Sequence, residues 1–339
     1  MRAAFLIKNG SADQAFEIRE TPQPMPSTGE VLVKVDAFGL NFADVMARLG
    51  LYPAAPPIPA ILGYDVVGRI ESVGSGVNHL AVGQRVMALT RFGGYAEYAI
   101  TDARAAVAIP DEMHPGEAVA LATQAGTAYY MAEMATRLFE GDHVLIHAAA
   151  GGVGTALVQL AKARGCVLYG TAGSAEKLAM LTDMGVHHPI NYREKDFATE
   201  IERITNGKGV DIIFDPVGGT SVKKGFKLLR PGGKIFCFGA SAQTNTRNIF
   251  GRLRVLWRFG LYHPIQFLLK SRAMIGVNML TIADERPEVL QRALEGAVQA
   301  HADGILKPIV GGDFSAEKIG EAHAFLESRQ SRGKIVLRW

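Results

Sequence analysis

The run GDHVLIHAAAGGVGTALVQLAK, Gly141 to Lys162, holds residues whose types and spacing imply a definite chemistry. A short apolar strand, His143 to His147, passes through Ala148, Ala149 and Ala150 into Gly151, Gly152, Val153 and Gly154. Apolar residues at 153, 157, 160 and 161 then mark one face of a helix. The glycines have separate tasks. Gly151 and Gly152 permit a tight turn and close backbone approach to a pyrophosphate, while Gly154 lets the helix lie against the strand. The backbone N–H groups of the helix start, Ala150 to Gly154, offer partial positive charge to that anion. A glycine triplet alone also occurs in ordinary strand-to-helix turns. Here the strand before it, the amphipathic helix after it and the strands that follow agree on a dinucleotide site.

The next strand bears on which dinucleotide is held. Sites for the unphosphorylated coenzyme usually carry an acid about 20 residues past the glycines, on the ribose 2′-hydroxyl. This chain has Thr171, Ala172, Gly173 and Ser174 there, then Lys177, with Tyr192 and Arg193 after the following strand. A 2′-phosphate carries about two negative charges, and one unit-charge pair at ~4 Å is worth about 4 kcal/mol at an effective dielectric of 20. Lys177 without a carboxylate in the acid's place therefore favours NADPH. The plain alternative is a lysine solvating a helix start and partly offset by Glu176. Tyr192 can support the adenosine edge by stacking or through its hydroxyl.

Those residues must be held by larger elements. At 339 residues the chain calls for two domains, and its 48% hydrophobic and 20% charged residues are those of an ordinary globular protein. A net charge of +3 gives no bulk attraction to nucleic acid. Two cysteines, Cys166 and Cys237, are too few for a disulfide framework or a four-cysteine zinc lobe and fit a reducing cytosol. From Met1 to about Leu121 short β-rich runs alternate with Gly and Pro clusters. After Ala125 strand, glycine turn and helix repeat, the pattern of a doubly wound parallel sheet. The later run MIGVNML reads as a strand, followed by helices and a closing strand GKIVLRW that return to the first domain. The expected layout is residues 1–122 with 273–339 as one domain, and 123–272 as the cofactor domain.

The residues quoted so far resemble the quinone oxidoreductase and zeta-crystallin branch of the medium-chain dehydrogenases/reductases. GLNFADVMARLGLYP, GYDVVGRIESVGSGV, VGQRVMAL and GGYAEYA are similar to that branch in the same order. The resemblance covers essentially the whole chain. It implies an α/β protein, a GroES-like β-rich catalytic domain joined to a Rossmann domain, with NADPH as hydride donor and commonly a homodimer. By the same analogy Asn41, Tyr52, Thr127 and Tyr130 line the reaction cleft, and Tyr52 or Tyr64 donates to a substrate oxygen. Phe238, Gly239 and Ser241 lie near the nicotinamide, and Arg332 approaches the cofactor from the C-terminal segment.

Where zinc-dependent relatives carry their first cysteine this chain aligns Asn41, and where they carry a His-Glu pair it has Tyr64 and Asp65. That donor set is poor for zinc, so no metal is expected. Without a Lewis acid, an alcohol or simple carbonyl is a worse hydride partner than a quinone or activated enone. The rival readings are an enoyl thioester or ketone reductase, as in polyketide synthase modules, and an NADPH-binding protein with a mainly lipid- or partner-binding role. Residues 245–272 hold six Lys and Arg and no acid among many apolar residues. This insertion departs from bacterial quinone reductases and is similar to that of the vesicle amine transport protein branch. Covering the cleft or a dimer interface, lying on an anionic membrane surface and contacting nucleic acid are its competing roles, in that order.

Overall fold

The computed structural model describes residues 1–241 and 258–339. Residues 245–257 of the basic insertion, with Arg247, Arg252 and Arg254, lie outside the described residues. The chain divides into two compact units, Met1–Tyr129 with Met279–Trp339, and Tyr130–Asn278.

The second unit is built on six parallel strands. Across the sheet they run His188–Asn191, Val167–Ala172, His143–Ile146, Val210–Asp215, Leu229–Cys237 and Ala273–Gly276. Numbered along the chain, that order is third, second, first, fourth, fifth, sixth, the doubly wound order with its reversal between the first and fourth strands. Val144, Leu145 and Ile146 are fully buried, as expected of a central strand with helices on both faces. Leu145, Ile190, Val210, Ile213, Val222 and Ile235 share its core. The sequence reading gave the strand near 273 to the first domain and extended it to Leu280. Instead Ala273–Gly276 is the sixth parallel strand, and Met279–Glu285 is helix. A short apolar run reads alike as strand or buried helix, so periodicity alone could not place this boundary.

The first unit holds a seven-stranded mixed sheet and a smaller three-stranded one. Its long central strand, Glu30–Leu40, pairs antiparallel with Asp65–Val73, Tyr98–Asp102 and the C-terminal strand Lys334–Arg338. The chain's last strand thus lies beside Leu40. Val31, Val33, Phe38, Val66, Ile70, Val86 and Ile335 form the core. The helix Phe42–Arg48 begins at Asn41, whose backbone N–H donates to Asp44 Oδ2 at 2.9 Å. Such an N-terminal carboxylate satisfies a donor that no helical carbonyl can reach. No helix among the described residues is long and apolar enough to cross a membrane.

Candidate functional site

The turn after strand His143–Ile146 is made sharp by its backbone. Ala148 has φ 50°, and Gly151 N–H returns to the Ala148 carbonyl at 2.9 Å before the helix Gly152–Ala163 starts. A side chain at Gly154 would overlap the Ala148 carbonyl oxygen and sit 2.7 Å from Ala149 Cα. Helix and turn are therefore in backbone contact, which only glycine allows. Ala150 is buried, while Gly151, Gly152 and Val153 are partly exposed. The helix start lies at the sheet's reversal point, where ligands of open α/β sheets bind.

Thr171 sits beneath this turn rather than on its surface. It is 2% exposed, and its hydroxyl lies 3.1 Å from His147 Nδ1 and accepts from Ala148 N at 3.3 Å. Its structural task is bracing the loop. Ser174 caps the helix Ala175–Asp183, its hydroxyl accepting from Lys177 N at 3.4 Å. Gly173 lies close to the ends of two side chains, since a Cβ there would meet Tyr192 Oη at 2.6 Å and Arg193 Nε at 3.2 Å. Tyr192 and Arg193 are exposed. Gly173, Tyr192 and Arg193 therefore gather on one side of the sheet, and Ser174 and Lys177 open the helix that follows. The half-buried Phe238 and Ser241 and the exposed Gly239 follow the fifth strand. Ser241 N donates to the Pro216 carbonyl at 3.2 Å and Phe238 N to the Asp215 carbonyl at 3.1 Å, tying this segment to the loop after the fourth strand.

In the first unit Asn41 belongs to a buried polar cluster. Asn41 Nδ2 donates to Asp65 Oδ1 at 2.7 Å, and Lys334 Nζ donates to Asn41 Oδ1 at 3.1 Å and pairs with Asp65 Oδ2. Asp44, also fully buried, accepts from Asn41 N and from Gly63 N at 3.2 Å. Burial pushes the Asp44 carboxyl up to about 7 against the lowering effect of the Asn41 N–H. Burial likewise raises Asp65, against the pull of Lys334. Tyr64 is 4% exposed, and its hydroxyl meets no partner in hydrogen-bond geometry among the described residues. Tyr52 packs edge to face with it at 6.3 Å, and burial and the Asp44 charge push the Tyr64 phenol up. Thr127 is buried and donates to the Thr123 carbonyl at 2.5 Å, and Tyr130 opens the second unit.

Arg332 is exposed, whereas Lys334, two residues on, is fully buried. The sequence reading missed Lys334, although a lysine opening an otherwise apolar strand, KIVL, is a signal of a partnered cation. Among the described residues no three His, Cys, Asp or Glu side chains gather as a metal site. Burial pushes both Cys166 and Cys237 up to about 12, so neither is a ready thiolate.

The chain thus holds a nucleotide-type parallel sheet in one unit and a β-rich sheet in the other, an architecture used by two-domain dehydrogenases and reductases. Comparison with known families agrees. Residues 27–111 match the alcohol dehydrogenase GroES-like domain, and residues 152–295 match the family described as zinc-binding dehydrogenase. The chain is 35% identical over 341 residues to the synaptic vesicle membrane protein VAT-1 homolog of Rattus norvegicus, covering 99% of this chain and 84% of that protein. It is 30% identical over 339 residues to the quinone oxidoreductase of Homo sapiens, covering 99% and 97%. The structure of Escherichia coli quinone oxidoreductase complexed with NADPH matches with a TM-score of 0.87 at 28% identity, over 100% of both chains. The chain belongs to the medium-chain dehydrogenase/reductase superfamily, in its quinone-oxidoreductase-like branch.

Proposed function

We propose that the protein is an NADPH-dependent reductase that transfers hydride to a quinone or related activated enone without a metal ion. The observation that carries this reading is the turn from Ala148 to Gly154. Its backbone is folded so tightly that a Cβ at 154 has no room, and its helix start stands at the reversal point of the parallel sheet. That arrangement suits a pyrophosphate held by backbone N–H groups. Arg193, beside Gly173, and Lys177, in the first turn of the helix that follows, give the charge a 2′-phosphate requires, and Tyr192 gives a flat face for the adenosine.

When bound, NADPH supplies the hydride from its nicotinamide ring. The protein's residues orient the reactants and hold charge. Tyr64, whose buried hydroxyl lies near Tyr52, is suited to donate to the acceptor oxygen on which charge develops. The raised Tyr64 phenol stays protonated at neutral pH and so remains a donor. The first unit's donor set does not fit zinc, despite the matched family's description. Asn41 offers an amide, and Asp65 is already paired with the Lys334 ammonium.

The test is a panel of quinones, enones and enoyl thioesters with NADPH consumption as the readout. Turnover with quinones or enones that survives chelation is the expected result. Turnover confined to enoyl thioesters would move the substrate class, and no turnover with normal NADPH binding would remove the reductase reading.

A further inference from the structure

The Asn41 carboxamide stands between opposite charges, its amino end on Asp65 and its carbonyl end on Lys334. Both ionic side chains are fully buried. Taking two ions out of water is costly, and apolar residues of the same size commonly stabilise a fold as well or better. Packing alone does not account for the pair. The space for it is also specific. Gly39 faces Val336 across the sheet, and a Cβ at 39 would overlap Lys334 Cε and come within 2.7 Å of its ammonium. A carboxamide has two flipped orientations of nearly equal shape and opposite polarity. A cation at one end and a carboxylate at the other select one of them.

We propose that Lys334 is a positioning residue: with Asp65 it locks the Asn41 amide in one orientation, so that its second Nδ2 hydrogen is presented to the acceptor. Lys334 acts through Asn41 and touches neither reactant. This rests on the reductase reading above, with Asn41 as a group that meets the acceptor.

The experiment compares full-length wild type with Lys334→Met, Asp65→Asn and the double variant, in which an uncharged pair of similar volume replaces the ions. Three quantities are read: thermal stability, kcat and KM with NADPH and a naphthoquinone, and the Asn41 side-chain amide signals in a proton–nitrogen correlation spectrum, assigned by their loss in Asn41→Ser. The double variant should be more stable than Lys334→Met. Its kcat should remain lower than wild type by about ten-fold or more, with the NADPH KM within about two-fold, because misplacing a group near the reacting atoms costs rate rather than binding. Its Asn41 amide signals should broaden or double as both flips become populated. Recovery of wild-type kcat together with stability would overturn the proposal, as would a single sharp Asn41 amide pair in the double variant. Should wild type oxidise no NADPH with any acceptor, the reductase reading fails, while the amide spectrum still decides whether Lys334 sets the flip.

Discussion

The two units hold their polar groups in opposite ways. In the second, Lys177, Tyr192 and Arg193 stand at least partly in solvent, the latter two against Gly173, and the glycine turn offers its backbone. In the first, Asn41, Asp44, Asp65 and Lys334 are all buried, and apart from Asp44 each pairs with another side chain of the cluster. An exposed cation is loosely placed and screened, so it suits a ligand that brings its own charge. A buried network is rigid and costly to break, so it suits fixing one orientation. On the proposed function, binding would fall to the second unit's exposed groups and orientation to the first unit's buried ones.

The contrast is broken most severely at Lys334. Lys334→Met leaves Asp65 buried without its cation and should lose about 3–5 kcal/mol of stability in chemical denaturation, whereas Lys177→Ala should change it by less than about 0.5 kcal/mol. Similar losses would end the distinction. Asp44 gives a pH signature. Its folded pKa of about 7 lies above the ordinary 3.8, so the fold favours the protonated form. Its stabilising contribution is intact below the ordinary carboxylate range and is lost as pH rises to about 7. His323, buried and held well below its usual range, acts with the opposite sign below neutrality. Comparing wild type with Asp44→Asn cancels the histidine. The variant should gain about 2–4 kcal/mol relative to wild type between pH 4 and 8, and parallel stability profiles would refute the assignment.

Smaller effects sharpen the second unit. Gly154→Val forces a side chain against the turn and should cost about 1–3 kcal/mol in thermal melts and weaken NADPH binding, measured by fluorescence. Unchanged binding would detach the turn from the cofactor. Lys177→Glu should weaken NADPH about ten-fold or more and NADH little, which paired titrations would check. Equal losses would mean that Lys177 does not meet the 2′-phosphate.

Legibility in the sequence follows the same division. The glycine turn could be read because its parts are consecutive and each glycine answers a local steric demand. The nearness of Tyr192 and Arg193 to Gly173 also follows from short spacings after successive strands. The buried cluster could not, because Lys334 meets Asn41 only through the pairing of the last strand with Glu30–Leu40, and nothing local reports that pairing. Arg332 stays exposed, and it is Lys334, two residues on, that is buried in the cluster. The position of Thr171 could be read, but the contacts of its hydroxyl with His147 and Ala148 have no local signal.

The most direct measurement is the loss of reduced-nicotinamide absorbance when the purified protein, stripped of divalent metal by chelator, is mixed with NADPH and a quinone. The account predicts steady turnover at the untreated rate, with NADH a much poorer donor. Turnover that vanishes on chelation and returns with zinc would contradict it, as would saturable NADPH binding with no transfer to any quinone or enone.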